Sequence, residues 1–466
     1  MKNISIILQL TLVLFGCNSG TKQQDTATDP WETVPAIIAQ IQKPSFPDLE
    51  MNIRDFGAVD DGETPSGSAI NKAIESCHEA GGGKVIVPKG NFATGPIYLK
   101  SNVNLHLEKG ARLLFSTNPK DYLPLVFTRW EGVELMNYSP LVYAFEESNI
   151  ALTGEGILDG QADKENWWPW KGKTQYGYMK GDPQQEDADK RHALFQMAED
   201  NVPVEERLFG EGFYLRPQFV QPYRCKNVLI EGVTIINSPM WILNPVLCEN
   251  VTIDGVTVES QGPNSDGCDP ESSRNVWIKN CYFNTGDDCI AIKSGRNADG
   301  RRIGIPSENI VIQDCKMADG HGGVVIGSEI SGGAKNIFAE RCEMNSPNLD
   351  RVLRIKTSSM RGGTVENIFM KDVTVGQVAD QVIRVNMHYE DEGPHIPTVK
   401  NIWVENLSVI NGGKTGILLE GYESSPVSGL RLKNVSIESV ETTHRFDHVS
   451  DLTFDGVTIN GKPFDP

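Results

Sequence analysis

The 466-residue chain is poor in positive charge and in long apolar runs. It carries 43 Lys and Arg against 62 Asp and Glu, a formal charge of −19 at pH 7. That balance argues against nucleic acid as a partner, although a cleft can differ in sign from the surface around it. Beyond the N-terminus no stretch is apolar for long enough to span a membrane. No cysteine or histidine spacing reads as a zinc site, so no metal is expected. No recurring leucine pattern marks a leucine-rich repeat. Nothing in the pattern calls for a cofactor. What is plentiful is glycine, 45 residues, with 26 prolines, as suits a turn-rich soluble protein.

The chain begins "MKNISIILQLTLVLFGCNSG". Lys2 precedes an apolar core from Ile4 to Phe15 that is too short for a spanning helix. "LFGC" resembles a bacterial lipobox with Cys17 as the lipidated residue, although Phe15 stands where a small or branched residue is commoner. An ordinary cleaved secretory signal is the alternative. Residues 1–17 are therefore expected to be a lipoprotein signal peptide. The protein would be exported, periplasmic or on the outer membrane or cell surface, and would touch membrane only through that lipid. Residues 18–47, rich in Thr, Gln, Asp and Pro, read as a tether with a short helix at 34–40.

From Asn227 onward a repeat runs through the chain. "NVLIEGVTI" from Asn227, "NVTIDGVTV" from Asn250 and "NVWIKNCYF" from Asn275 are three of nine copies. The others start at Asn309, Asn336, Asn367, Asn401, Gly429 and Asp451. Offsets one, three, six and eight after each anchor are apolar or sulfur-bearing, so the alternation breaks in the middle and the chain must bend there. Offset five is Gly, Asn or Asp in every copy but the one with Arg341, and these residue types tolerate a left-handed backbone. The recurring asparagine anchor suggests amides stacked coil on coil. Short strands joined by bends at this period predict an all-β fold: a single-stranded, right-handed parallel β-helix of the pectin-lyase-like kind over residues 48–466.

A solenoid needs capped ends. "SGSAINKAIESCHEAGGG", from Ser66, reads as an amphipathic capping helix closed by glycines. "SNVNLHLEKGARL" and "SNIALTGEGILDG" look like earlier coils. Residues 161–221, with "NWWPWKG", form an insert over one face, whose Trp167, Trp168 and Trp170 either cover a ligand or pack the insert down. Cys281, Cys315 and Cys342 share offset six and are expected as reduced core fillers.

Each strand pair is followed by a third strand. In "DDCIAIKSG", "HGGVVIGSE", "DRVLRIKTS" and "QVIRVNMHY", Ile292, Ile326, Ile355 and Val385 share a register and should face inward. Lys293, Arg354 and Lys356 should face outward. "NSDGCDPES" puts Asp266 in line with Asp287, and both with His321, with Asp288 alongside. Clustered carboxylates drive their pKa values apart, so one can hold a proton while another is ionised. Inverting glycoside hydrolysis needs such a pair, about 6.5–9.5 Å apart. The bare pattern leaves three classes open: a hydrolase, a calcium-dependent lyase, and a non-catalytic carbohydrate-binding or adhesin solenoid.

"NSD" (264–266), "GDD" (286–288), "GHG" (320–322) and "RIK" (354–356), in this order and at this coil spacing, resemble the signature of the polygalacturonases, glycoside hydrolase family 28. Ser265 replaces the commoner Thr. The stretch from "DFGAVDDGETPSG" resembles the family's N-terminal cap, and the likeness runs from Met51 to the C-terminus. The resemblance implies an inverting, metal-free glycosidase cleaving α-1,4-galacturonosidic bonds of pectin. Asp287 would be the general acid, and Asp266 and Asp288 would activate water. His321 would tune the acid. Arg354 and Lys356 would bind the galacturonate carboxylate beside the scissile bond, and Tyr389 would also bind substrate. Asn264, which opens the "NSD" motif, is placed with the substrate-binding residues. Lys293 joins them from outward parity alone, with a solvated lysine as the alternative. The intact "RIK" favours galacturonate over rhamnogalacturonan. The insert as a cleft wall favours exo-action from the non-reducing end, with endo-action next and an idle pectin-binding solenoid as the reading of a different class. A monomer acting on an acidic polysaccharide is expected.

Overall fold

Every repeat anchor adopts a left-handed backbone. Asn227, Asn250, Asn275, Asn309, Asn336, Asn367 and Asn401 have φ from 55° to 60°, and Gly429 and Asp451 are left-handed too, at 69° and 54°. Offset five is left-handed too, at Gly232 and Gly255 and also at Arg341, where φ is 52°. Such a conformation costs an ordinary side chain about 1–2 kcal/mol. Arg341 is held there by Asp314 one coil earlier, Nε to Oδ1 at 2.8 Å and Nη2 to Oδ2 at 3.0 Å. With two such corners per repeat the chain winds into coils. The computed structural model, which describes residues 29–466, is a right-handed parallel β-helix. The expected signal segment, with Cys17, lies outside the described residues. Among the described residues no helix is long and apolar enough to cross a membrane.

Parallel pairing stacks like on like. Val228, Val251, Val276, Ile310, Ile337, Ile368, Ile402 and Leu430 are successive partners and all are buried. The anchor amides form a continuous ladder: each Nδ2 donates to the Oδ1 one coil back, from Asn401 at 2.6 Å to Asn275 at 3.3 Å. The ladder reaches back past Asn227 to Asn149 and Asn102. All eight described cysteines are free and buried.

The third strands form a six-stranded parallel sheet, beginning with Ile290–Ile292, Val324–Ile326, Arg351–Lys356 and Gln381–Asn386. Ile292, Ile326, Ile355 and Val385 oppose one another and are fully buried, as their parity requires. At the strand entrance the register differs by one from the sequence reading. Cys268 pairs with Ile290, and Ile290 with Val324. Asp266 therefore lies in line with Asp288, whereas Asp287 lies in line with His321. Inward side chains oppose inward side chains. Cys289 sits in the turn, where its Sγ donates to the Asp319 carbonyl.

Both ends are closed. The helix Gly67–Glu79 buries Ala69, Ile70, Ala73, Ile74 and Cys77 against the first coils. At the far end Lys462–Pro463 turns back antiparallel on Thr458–Ile459, with Phe446, Phe454 and Phe464 packed together. The short helix Val34–Gln40 is present, but its segment does not hang free. Trp31, Val34 and Ile37 pack on Val311, Phe338 and Phe369. The solenoid carries one outer row of apolar side chains there, from Trp277 to Trp403, and the N-terminal segment covers it.

The insert folds over the third-strand sheet. It contains 3-10 turns at Trp168–Lys171 and Thr174–Tyr176 and a helix at Arg191–Glu199. Its strand Leu208–Phe209 joins a hairpin made by Val126–Trp130 and Val133–Asn137. The three tryptophans pack it down: Trp167 is buried, Trp168 Nε1 donates to the Ser238 carbonyl at 2.9 Å, and Trp170 stands edge-on to Trp167 and Tyr214.

Candidate active site

The turns entering the third strands project side chains into one cleft. Asp266, Asp287 and Asp288 each offer an oxygen within 4.8 Å of the others. At that spacing one water can bridge two of the carboxylates, held on the cleft side of the group. Asp287 is the accessible member, with 18% of its side chain exposed, and its Oδ1 meets His321 Nδ1 at 2.9 Å. Asp288 is fully buried, and Lys356 Nζ lies 2.7 Å from its Oδ2 and Arg354 Nη1 3.5 Å from its Oδ1. The adjacent aspartates thus occupy different places, one facing the cleft and one behind it with its charge matched. Three clustered carboxylates are a donor set for a cation, but Lys356 on Asp288 and Lys293 on Asp266 already supply the counter-charge.

Lys293 faces outward from its strand and is nearly fully buried. Its Nζ is 3.3 Å from Asp266 Oδ2 and 3.2 Å from Glu329 Oε2, over the Trp241 ring. It is therefore placed behind Asp266 rather than free in the cleft. Asn264 lines the cleft, and its Oδ1 accepts from the buried Arg216 at 2.9 Å. Tyr389 lies across the cations, its ring centre 5.5 Å from the Arg354 guanidinium and 5.4 Å from Lys356 Nζ.

These contacts divide the protons. Burial, then the charge of Asp287, pushes Asp266 up to about 8 against the pull of Lys293. Burial would raise Asp287 too. The hydrogen bond and charge of His321, with Lys356 and Lys293, hold it below the usual carboxylate range. The same hydrogen bond and charge take His321 up to about 9. The unliganded cluster thus keeps a proton on Asp266 and an ion pair between Asp287 and His321.

The space in front of the cluster is about 430 Å³. Eight Lys and Arg line it against six Asp and Glu, a local reversal of the chain's sign. Several of these residues escaped the sequence reading. Arg351 donates to the His321 carbonyl at 3.2 Å. Glu329 and Arg296 pair at 3.0 Å on the cleft wall. Lys171, Lys173, Tyr176 and Arg191 come from the insert, and Glu131 from the hairpin tip. Neighbouring Gly132 accepts from the Arg296 backbone at 2.9 Å, and a Cβ there would stand 2.6 Å from that nitrogen. Only the outward parity of its strand pointed to Lys293. The insert residues have no periodicity and gave no signal.

Carboxylates that share a proton on a parallel β-helix, with cations facing the same space, define a glycosidase. Known proteins narrow the class. Residues 212–458 match the family model described as glycosyl hydrolases family 28. The crystal structure of a hyperthermoactive exopolygalacturonase from Thermotoga maritima superposes with a TM-score of 0.91 at 47% identity, covering 93% of this chain and 97% of that one. An exo-poly-α-D-galacturonosidase of Dickeya chrysanthemi is 28% identical over 95% of this chain and 74% of its own. A probable polygalacturonase of Vitis vinifera is 27% identical over 82% and 73%. The chain belongs to glycosyl hydrolases family 28.

Proposed function

We propose that this glycosidase is an exo-acting polygalacturonase that removes galacturonate from the non-reducing end of pectic chains with inversion. The observation that carries the exo reading is the wall beside the carboxylates. The insert walls the side toward the N-terminal coils, the hairpin tip lies over the ends of the third strands at Arg296, and Arg354, Lys356 and Tyr389 hold the C-terminal side. Relatives that carry exo-acting names support it. The "RIK" cations take the carboxylate of the sugar beside the scissile bond, because both line the cleft next to the carboxylates. As the glycosidic oxygen approaches Asp287, the proton resting on Asp266 is relayed to Asp287 through a water between them, and Asp287 gives it to the leaving oxygen. That leaves Asp266 ionised beside Lys293. With Asp288 it orients a water and takes its proton as the water oxygen bonds to the anomeric carbon. His321 holds Asp287 in place throughout.

A product time course on polygalacturonate, followed by proton NMR, tests this reading. Monomer alone from the first minutes, initially as the β-anomer, is the expected result. A ladder of oligomers would make the enzyme endo-acting, and unsaturated products would remove it from the hydrolases.

The N-terminal signature supports one further reading: export as a lipoprotein anchored at Cys17, periplasmic or at the cell surface, with the catalytic chain otherwise a monomer acting on acidic pectin. Metabolic labelling with a fatty-acid analogue, lost in Cys17→Ala, checks it.

A further inference from the structure

We infer that Lys171, Lys173 and Tyr176 of the insert read the carboxylate of the terminal sugar, so that the pocket requires a uronate, and not a neutral or esterified sugar, at the chain end. The inference rests on the exo reading above. The bond to be cut has a uronate on each side, and the cleft has cations on each side of its carboxylates. Arg354 and Lys356, on the C-terminal side, account for one sugar. The insert supplies the other group from the N-terminal side, lining the same space as Asp266 and Asn264, and its Gln185 shares the Arg216 guanidinium with Asn264. Lys171 is held from behind: its Nζ pairs at 3.1 Å with Glu186, which does not line the cleft. Lys173 is exposed and, among the described residues, has no acidic partner within 4.0 Å. The segment that presents it is fixed. Gly172 is left-handed, with φ 77°, and a Cβ there would meet the Gln184 side chain at 2.3 Å. Tyr176 closes the next 3-10 turn against the same space. An unpaired ammonium, a braced one and a phenol converge on the closed end of a cleft in a strongly acidic chain, and they suit one carboxylate.

The test uses tetragalacturonate labelled at its reducing end, and the same tetramer methyl-esterified only on its non-reducing residue. The native enzyme should release labelled trimer from the acid form with kcat/KM roughly 10- to 100-fold above the ester. Lys173→Met should lose about as much on the acid form and far less on the ester, with an unchanged melting temperature, and Lys173→Arg should regain most of the loss. Equal rates on the two substrates, or an unchanged ratio in Lys173→Met with labelled trimer still released first, would overturn the carboxylate reading and leave exo-action standing. Labelled dimer as the first product would overturn removal of a single terminal galacturonate, and this inference with it.

Discussion

Two columns of polar side chains run along the same solenoid. One is the amide ladder from Asn102 to Asn401, in which every donor meets an acceptor of the same residue type and no charge builds up. The other runs through Asp266, Asp288, Asp287 and His321 to Arg354 and Lys356, where Asp266 beside Asp288 is the one like-on-like step and Asp287 and Asp288 meet groups of opposite sign. Coil spacing, about 4.8 Å, is common to both. Stacking identical neutral groups fixes the register. Stacking unlike charges at the same spacing makes each group depend on its neighbour's protonation, and that dependence is where chemistry becomes available.

The contrast can be broken at several points. Asp287→Asn keeps an acceptor for His321 but has no proton to give, so turnover on polygalacturonate should fall by about 10²- to 10⁴-fold while the unfolding midpoint stays put. Turnover near the native rate would remove Asp287 from the chemistry. Lys356→Met leaves the fully buried Asp288 with only the 3.5 Å contact to Arg354. Urea unfolding should then show a loss of about 3–5 kcal/mol. Adding Asp288→Asn should restore most of the stability but not the activity.

In the amide ladder the pattern should reverse. Asn309→Ala removes a bond to Asn275 at 3.2 Å and one from Asn336 at 3.1 Å, at a left-handed position. Stability should drop by about 1–3 kcal/mol with kcat retained at moderate temperature. A kcat loss as deep as that of Asp287→Asn would mean that the two columns are coupled.

The remaining test is the effect of pH on the unliganded fold. Asp266 holds its proton up to about 8 when folded, against an ordinary 3.8, so the folded state binds more protons through that window and stability falls as pH rises. His321, raised from 6.5 to about 9, acts in the same sense: its contribution is complete below 6.5 and is lost as pH rises through about 9. Asp287, held low, acts in the opposite sense and loses its contribution only as pH falls through its lowered value. Calorimetry should show the midpoint declining through neutral to alkaline pH, and less steeply in Asp266→Asn. A flat profile in the native protein would contradict the proton on Asp266.

The same contrast explains what was legible in the sequence. The amide ladder and the inward row through Ile292 and Ile326 were readable because each coil repeats them. The register of Asp266 was missed by one residue because the turn that carries it follows no repeat. Lys293 could be aimed by parity, but its partner Glu329 comes 36 residues later, beyond a strand end, and no local pattern links the two. The docking of Trp31 and Val34 onto the outer wall was hidden because that wall lies on the solvent side of alternating strands. Lys171 and Lys173 belong to a segment whose shape is set by what it covers, not by its own period.

The seal between Gly132 and the Arg296 backbone has a consequence for traffic through the pocket. A cleft walled at one end has a single door. With the exo reading, the freed sugar lies at the dead end while the shortened chain still fills the doorway, so the chain must back out before the sugar can leave. The enzyme would work distributively, letting go of its polymer at every turnover, and a population of chains would shorten together rather than one at a time.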